Sequence, residues 1–205
     1  MDLCQACFAD LPLNHDCCYR CGEHFEFTVN IPQLCGRCLK KPPRFDETHA
    51  PFLYEESLKF VITQLKFQHR YSHARLLGTL LAKQLMKNTE LPECLIPVPL
   101  HPKRYQERGF NQSIEISRHL SRQLSIPMDI KSCIRHRDTA HQTDLAAKQR
   151  RKNMRQAFSI LSPLRYQHVA IVDDVMTTGA TVSSLAEALK KQGVARVDVW
   201  VSARA

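Results

Sequence analysis

The chain has 205 residues, of which 43% are hydrophobic and 24% charged, a balance that is typical of a folded globular protein and excludes a disordered chain. It is long enough for one domain of ordinary size with a small additional module. Its 29 lysines and arginines exceed its 20 acidic residues, which favours anionic partners such as nucleic acid or phosphorylated metabolites. The charge alone does not decide this, because a solvated basic surface explains it equally well.

The sequence predicts a cytoplasmic protein without a membrane span. No stretch approaches the roughly 18 consecutive apolar residues of a spanning helix, and the first residues lack a basic start followed by an apolar run. In the absence of such an export signal, the nine cysteines are better explained as metal ligands than as disulfides.

Two Cys-x-x-Cys pairs lie near the amino end, separated by 13 residues. Four thiolates at this spacing predict a closed, structural zinc site formed by Cys18, Cys21, Cys35 and Cys38, with reduced core cysteines as the alternative. A segment this small and hydrophilic needs a metal to fold. A third pair, Cys4 and Cys7, has no evident partner pair, so it either joins a rearranged site or stays free.

The polar, proline-containing stretch Lys40–Arg44 predicts a domain boundary. We therefore expect a zinc-binding module over residues 1–43 and a larger domain over residues 44–205. Apolar residues spaced three or four apart then predict two core-facing helices, which begin near Ser57 and Ser72 as N-caps. Lys66 ends the first helix and is either a helix-terminal charge, the favoured interpretation, or a phosphate ligand.

The centre of the chain reads as strand, helix, strand. The run Leu95–Leu100 is apolar and carries two prolines, so it predicts a strand that ends in a loop. A helix over residues 111–124 and a β-rich stretch over residues 126–134 follow. In the loop after Leu100, basic side chains are candidates for binding a pyrophosphate or merely decorate a solvated loop: Lys103, Arg104 and Arg108.

Residues 135–155 are strongly polar and basic. A stretch of this length within a domain predicts a functional loop or lid, with a nucleic-acid contact or an exposed basic helix as alternatives. Its candidate lid or nucleic-acid ligands are Arg135, Arg137, Gln142, Arg150, Arg151 and Lys152.

The carboxyl end predicts a buried strand over residues 168–173, a helix over residues 181–192 and a closing strand over residues 194–202. Between the first strand and the helix, two carboxylates precede a Thr/Gly-rich turn. Asp173 and Asp174 can accept hydrogen bonds from vicinal sugar hydroxyls. The backbone N–H groups and hydroxyls of Thr177, Thr178, Gly179, Ala180 and Thr181 can bind a phosphate at a helix start.

An apolar strand, two acidic residues and Thr-Thr-Gly-x-Thr resemble the phosphoribosyl pyrophosphate (PRPP) signature of type I phosphoribosyltransferases. The resemblance implies an α/β fold with a parallel sheet flanked by helices. It also implies that Asp173 and Asp174 hold the ribose hydroxyls and Mg²⁺, that residues 177–181 hold the 5′-phosphate, and that Mg²⁺ bridges the pyrophosphate and ribose oxygens.

The order of motifs along the whole chain is similar to that of the ComF/GntX family. The Cys-x-x-Cys pairs are followed by Leu39–Pro43, Leu65–Phe67, Arg108–Gln112 and the PRPP segment. The resemblance implies PRPP, single-stranded DNA and proteins of the competence machinery as partners, in natural transformation. In this family a further upstream cysteine pair is common, which leaves the roles of Cys4 and Cys7 open.

Three functions are compatible with these patterns. The favoured one is a zinc-containing, PRPP-binding protein that assists the uptake or cytoplasmic handling of transforming single-stranded DNA. The second is an active phosphoribosyltransferase in nucleotide or base salvage. The third is a zinc-dependent nucleic-acid adaptor with a vestigial ribose-phosphate site. Whether transfer is catalysed, the acceptor and the oligomeric state are not encoded in any motif, because a fold does not establish a reaction.

Overall fold

The computed structural model describes residues 3–88, 90–136 and 157–205. Within these ranges the helices are α1 (Gln5–Ala9), α2 (Gly36–Lys40), α3 (Glu56–Gln68), α4 (Tyr71–Asn88), α5 (Pro102–Arg108), α6 (Gln112–Leu124) and α7 (Ala180–Lys190). The strands are β1 (Glu47–His49), β2 (Phe52–Leu53), β3 (Cys94–Pro97), β4 (Cys133–Arg135), β5 (Phe158–Ile160), β6 (His168–Met176) and β7 (Arg196–Arg204).

A parallel sheet forms the centre of the protein. Its strand order is β1-β7-β6-β3, and β2 pairs with the carboxyl end of β7. β6 and β7 are in register over their full length, with Asp173 opposite Val201 and Met176 opposite Arg204. The antiparallel pair β4 and β5 lies outside this sheet.

Both faces of the sheet are covered, which explains why the central strands are continuous apolar runs rather than alternating ones. Residues 169–172 of β6 are fully buried. One face packs against the leucine-rich sides of α3, α4 and α6. The other face packs against α7 and the buried cysteines of the amino-terminal segment. Across the part of the chain that is described, no helix combines the length and the apolar character that crossing a membrane requires.

The predicted helix over residues 111–124 is confirmed. Asn111 is the N-cap of α6, and its Oδ1 accepts hydrogen bonds from the backbone N–H groups of Ser113 (2.9 Å) and Ile114 (3.4 Å). The two predicted N-caps, Ser57 and Ser72, are wrong. Glu55 is the N-cap of α3 and makes no side-chain cap bond, and Ser72 lies inside the first turn of α4.

The predicted β-rich stretch over residues 126–134 is mostly irregular. Asp129 is the reason, since its Oδ1 accepts hydrogen bonds from the backbone N–H groups of Lys131 and Ser132, both at 2.9 Å. This local turn competes with strand pairing, and only the short strand β4 follows it. The strand β3 ends at Pro97, the first of the two prolines, as predicted, but the loop beyond it contains the helix α5, which was not predicted.

Candidate functional site

The two carboxylates of β6 lie at the carboxyl edge of the parallel sheet, where ligands of open α/β sheets bind. Asp173 is half-buried and Asp174 is only 3% exposed. The strand places them there because residues 169–172 must be buried between two helical layers, which leaves the chain to emerge from the core at this point.

Asp173 is held in one orientation by two donors. The hydroxyl of Ser113, in the first turn of α6, donates a hydrogen bond to Asp173 Oδ1 at 2.8 Å, and the backbone N–H of Asp174 donates to the same oxygen at 2.9 Å. Burial and then the neighbouring charge of Asp174 raise the pKa of Asp173 to about 7, and Lys66 and the two donors only partly offset them. The carboxyl group therefore titrates near neutral pH.

Asp174 forms an ion pair with Lys66, in the last turn of α3. Burial lowers the pKa of Lys66, but the charge of Asp174, the hydrogen bond to it and the charge of Asp173 together outweigh burial and raise the pKa overall, so the ammonium group stays protonated. The sequence places Lys66 correctly near a helix end but gives no sign of this contact. Sequence reasoning considered Lys66 only as a helix-terminal charge or a phosphate ligand, and it missed Ser113. Only the packing of α3 and α6 on the sheet reveals their contacts with the two carboxylates.

Residues 177–181, the predicted phosphate-binding turn and hereafter the phosphate turn, connect β6 to α7. Thr177 and Thr178 are exposed, and the hydroxyl of Thr178 accepts a hydrogen bond from the backbone N–H of Ala180 at 3.3 Å. Gly179 is the N-cap of α7 and has a φ of 73°, which favours glycine. The turn thus presents hydroxyls and the start of an 11-residue helix directly beside Asp173 and Asp174.

Of the three pyrophosphate candidates on α5, Arg108 is half-buried and interacts electrostatically with both carboxylates. Its Nη1 donates a hydrogen bond to Gln112 Oε1 at 2.6 Å, and its guanidinium lies 5.9 Å from the centre of the Phe67 ring. Burial lowers the pKa of Arg108, whereas the charges of Asp174 and Asp173 raise it, which places the guanidinium within their field. Arg104 pairs with Glu107 at 3.8 Å, and Lys103 is exposed.

Of the candidate ligands in the predicted lid, the structure describes Arg135. Arg135 lies on β4, with its guanidinium 5.7 Å from the centre of the Phe158 ring on β5. The N–H of His136 donates to the carbonyl of Ala157 at 2.9 Å. The other candidate ligands lie outside the described residues: Arg137, Gln142, Arg150, Arg151 and Lys152.

Two clefts open at the same edge of the sheet, one on each side of β6. The first, of about 220 Å³, lies beyond the end of β3 and is lined by apolar side chains such as Leu100, Tyr105 and Ile134. The second, of about 200 Å³, lies at the end of β7 between Tyr54, Glu55 and Arg204. Residues 173–181 line neither cleft, but the strands on either side of β6 end at them.

The four predicted zinc ligands converge. The sulfur atoms of Cys18, Cys21, Cys35 and Cys38 lie within 4.8 Å of one another, and those of Cys21 and Cys35 are 3.6 Å apart. Zn–S bonds of about 2.3 Å place tetrahedral sulfurs about 3.8 Å apart, so the cluster fits zinc. Burial and then Cys21 raise the pKa of Cys38, so a bound dication is what would hold all four groups as thiolates.

Cys4 and Cys7 are exposed and stand apart from this cluster. The backbone N–H of Cys7 donates a hydrogen bond to Cys4 Sγ at 3.4 Å, and Cys4 is the N-cap of α1. Cys94 and Cys133 are buried, and core packing explains them.

A second polar cluster lies at the opposite edge of the sheet and was not predicted. The guanidinium of Arg196 pairs with Glu47 (2.9 Å), Glu90 (2.7 Å) and the buried Asp198 (3.0 Å). Asp198 also accepts a hydrogen bond from His168 at 2.7 Å. Because Arg196 neutralises the carboxylates here, the cluster is explained by charge pairing within the fold.

Comparisons with known proteins place the chain among related sequences and folds. Residues 111–205 match the family described as phosphoribosyl transferase domain. The chain is 37% identical to the DNA utilization protein YhgH of Escherichia coli O157:H7 (98% of this chain, 90% of the relative). It is 38% identical to competence protein F of Haemophilus influenzae (99% and 90%) and 24% identical to competence protein ComFC of Streptococcus pneumoniae (74% and 65%).

Among solved structures, the chain is similar to glutamine PRPP amidotransferase from B. subtilis, with 20% identity and a TM-score of 0.43 over 64% of this chain and 26% of that one. It is similar to purine phosphoribosyltransferase from Pyrococcus horikoshii, with 19% identity and a TM-score of 0.37 over 63% and 70%. The parallel sheet, the flanking helices and the matched domain make the fold phosphoribosyltransferase-like. Because the chain is 37–38% identical to two members over nearly its full length, it belongs to the family of competence protein F and DNA utilization protein YhgH.

Proposed function

We propose that this protein binds PRPP through Asp173, Asp174 and the phosphate turn, and that it acts in the cytoplasmic handling of imported single-stranded DNA. One observation carries the first part: two adjacent carboxylates at the edge of the sheet run directly into a glycine-capped helix start. This arrangement matches a ligand that joins a vicinal diol to a phosphate.

Each part of PRPP has a partner in this arrangement. The N–H groups and hydroxyls of the phosphate turn bind the 5′-phosphate, and the carboxylates accept hydrogen bonds from the ribose hydroxyls. Oxygen donors from carboxylates suit Mg²⁺, which supplies charge neutralisation for the pyrophosphate when it is bound. Arg108 on α5 interacts electrostatically with both carboxylates and can bind pyrophosphate oxygens bidentately. Lys66 forms an ion pair with Asp174 and so lies beside the proposed ribose contacts.

The double variant Asp173→Ala, Asp174→Ala tests this binding site. We expect calorimetry to show no PRPP binding in the presence of Mg²⁺, because both acceptors for the ribose hydroxyls are removed. The control is Glu187→Ala, which removes a partly exposed carboxylate of α7 and should bind PRPP like the unchanged protein. Undiminished affinity of the folded double variant, verified by circular dichroism, would refute the site.

The names of the relatives and two exposed aromatic rings support the DNA part of the proposal. Competence protein F and DNA utilization protein YhgH are close relatives over nearly the full chain. Phe67 and Tyr71 are 69% and 49% exposed, and Arg108 lies over the Phe67 ring. Exposed rings beside arginines can stack unpaired bases. Proteins of the competence machinery are further proposed partners.

DNA binding can be tested by titrating a fluorescent single-stranded oligonucleotide at several salt concentrations. We expect log K to fall linearly with log[salt], because phosphate contacts release counterions. Phe67→Ala should weaken binding, whereas Phe27→Ala, which removes an exposed ring elsewhere, should not. A salt-independent affinity, or equal affinities of the two variants, would contradict this assignment.

A second candidate function is phosphoribosyl transfer to a base or amine. The cleft between Tyr54, Glu55 and Arg204 favours it, because it lies on the side of β6 away from α5 and so opposite to the proposed pyrophosphate contacts. An acceptor nitrogen there would displace pyrophosphate from the C1 carbon of PRPP. Release of pyrophosphate with one member of an acceptor panel, and not without it, would establish transfer.

A further inference from the structure

Arg204 is a buried charged residue that the proposed function does not use. It is the last residue of β7, and only 5% of it is exposed. Its Nε donates a hydrogen bond to the carbonyl of Cys21 at 3.2 Å, its Nη1 donates to the carbonyl of Met176 at 3.2 Å, and its Nη2 pairs with Glu23. The guanidinium thus bridges two segments that are distant in the sequence.

On one side, Arg204 contacts the cysteine module beside its metal ligands. Cys21 belongs to the four-cysteine cluster, and its carbonyl and the adjacent turn at Gly22 face Arg204, whose Cδ lies 3.7 Å from the position that a Cβ of residue 22 would take. Arg37 joins the same network, because it donates to Glu23 Oε2 at 3.2 Å and to Cys21 Sγ at 3.6 Å. A metal bound by Cys21 therefore fixes the segment that Arg204 contacts.

On the other side, Arg204 holds the residue that begins the phosphate turn. Met176 directly precedes Thr177, and its carbonyl also accepts a hydrogen bond from the backbone N–H of Ala205 at 3.0 Å. The Met176 side chain lies beneath the turn, with its sulfur 3.4 Å from the position that a Cβ of Gly179 would take. A shift of Met176 therefore moves the first residues of the phosphate turn.

We propose that Arg204 is a positioning residue that couples metal binding in the cysteine module to phosphate binding at residues 177–181, each strengthening the other. Only arginine suits this role, because its planar fork reaches three acceptors in fixed directions, whereas a lysine ammonium is a single point charge. The proposal rests on the proposed phosphate site. Such coupling is reciprocal, so it can be measured from either side.

The test measures the zinc affinity of the full chain, by competition with a chromophoric chelator, with and without saturating ribose 5-phosphate. This ligand reaches the phosphate turn and lacks the pyrophosphate that would itself bind zinc. We expect ribose 5-phosphate to tighten zinc binding about fivefold or more in the unchanged protein, a coupling of ordinary size. In Arg204→Met the ratio should fall towards one.

The matched control is Arg37→Met. This variant removes a contact to Cys21 and Glu23 but leaves the bond from Arg204 to Met176, so it should change zinc affinity and keep the coupling ratio.

If ribose 5-phosphate binds the unchanged protein and leaves its zinc affinity unaltered, the coupling is refuted without any variant. If it does not bind at all, the proposed phosphate site fails first. A coupling ratio in Arg204→Met equal to that of the unchanged protein would remove Arg204 from the role, and Arg204→Lys repeats this comparison should the methionine variant not fold.

Discussion

Asp173 and Asp174 are neighbours in the sequence but have different partners in the structure. Asp173 accepts a hydrogen bond from Ser113 on α6, and Asp174 pairs with Lys66 on α3. These contacts give the two carboxylates different properties. Asp174 pairs directly with the Lys66 ammonium group. Burial and then the negative charge of Asp174 raise the pKa of Asp173, and the charge of Lys66 and the two hydrogen-bond donors only partly offset this rise.

PRPP affinity should therefore depend on pH. Burial and Asp174 raise the pKa of Asp173 to about 7, so below that pH its carboxyl is protonated in the free protein and is a poorer acceptor for ribose hydroxyls. Because binding favours the ionised form, we expect affinity to be greatest above pH 7 and to fall about three- to tenfold per pH unit below it. Calorimetry from pH 5.5 to 8.5 measures this.

The control for the pH series is Asp173→Asn, which keeps an acceptor for Ser113 but cannot titrate. Its affinity should be weaker above pH 7 and should retain only the dependence that arises from the phosphates of PRPP. A pH profile identical in the variant and the unchanged protein would show that Asp173 does not govern it.

Gly179 should be sensitive to a single methyl group. Its φ of 73° costs a non-glycine residue about 1–2 kcal/mol, and an added Cβ would lie 3.4 Å from Met176 Sδ, at the base of the phosphate turn. We expect Gly179→Ala to lose about 1 kcal/mol of stability and about tenfold in PRPP affinity, measured by urea unfolding and calorimetry. Gly193→Ala is the matched control.

Gly193 also has a positive φ, of 92°, but no atom lies within 4 Å of the Cβ position, and the residue follows α7 at the far end of that helix. Its alanine variant should lose comparable stability and keep PRPP affinity. Equal losses of affinity in the two variants would mean that general destabilisation, and not the shape of the phosphate turn, is responsible.

At the level of elements, α6 connects the two sides of the site. Its first turn places Ser113 against Asp173, and its N-cap Asn111 also donates a hydrogen bond from Nδ2 to the carbonyl of Val98 at 3.0 Å. One side chain therefore caps the helix and ties it to the end of the β3 strand. These contacts explain the motif Arg108–Gln112, because Arg108, at the end of α5, also donates a hydrogen bond to Gln112, the first residue of α6.

Asn111→Ala should lower the free energy of unfolding by about 2–3 kcal/mol, because it removes a cap worth about 1 kcal/mol and leaves the buried carbonyl of Val98 without this donor. Asn111→Asp keeps the cap acceptor but cannot donate to the Val98 carbonyl. At neutral pH we expect its loss of unfolding free energy to be smaller than that of the alanine variant. Urea unfolding measures both. A loss in the alanine variant below about 0.5 kcal/mol would contradict this role.

The domain boundary after residue 43 stays a prediction. The cysteine turn packs closely on the larger part of the chain, because the hydroxyl of Thr48 donates to the carbonyl of Arg20 at 2.8 Å and Asn14 Nδ2 donates to the carbonyls of Gly22 and Ala50, both at 3.0 Å. Expressing residues 44–205 alone would test whether the larger part folds without the module.

At the level of the whole molecule, the cysteine cluster is part of the core. Cys18, Cys21 and Cys38 are buried among Phe45, Val201 and the residues of α7 that cover one face of the sheet. Metal binding should therefore stabilise the entire fold and not only the amino-terminal segment.

We expect one zinc per chain in the purified protein, measured by elemental analysis. Cys18→Ser with Cys38→Ser should lose the metal and lower the melting temperature, since two of four ligands are removed. Cys4→Ser with Cys7→Ser is the matched control and should retain one zinc, because these two residues are exposed and lie apart from the cluster. Two zinc ions in the unchanged protein and one in the control would assign a metal role to Cys4 and Cys7.

The sequence by itself determined the fold class, the four clustered cysteines and the segment from β6 to α7. These are local patterns: continuous apolar runs predict buried parallel strands, and cysteine spacing and a Thr/Gly-rich turn depend on neighbours a few residues away. The predicted caps at Ser57 and Ser72 were wrong because packing, and not local propensity, sets where α3 and α4 begin.

Only the tertiary structure decided which distant residues complete the site. Lys66, Ser113 and Arg204 come from three elements, and their contacts to Asp174, Asp173 and Met176 exist because α3, α6 and β7 pack around the end of β6. Nothing in the local sequence distinguishes these three from other lysines, serines and arginines. Their roles follow from the sheet, which brings together residues that are far apart in the sequence, such as Lys66 and Asp174.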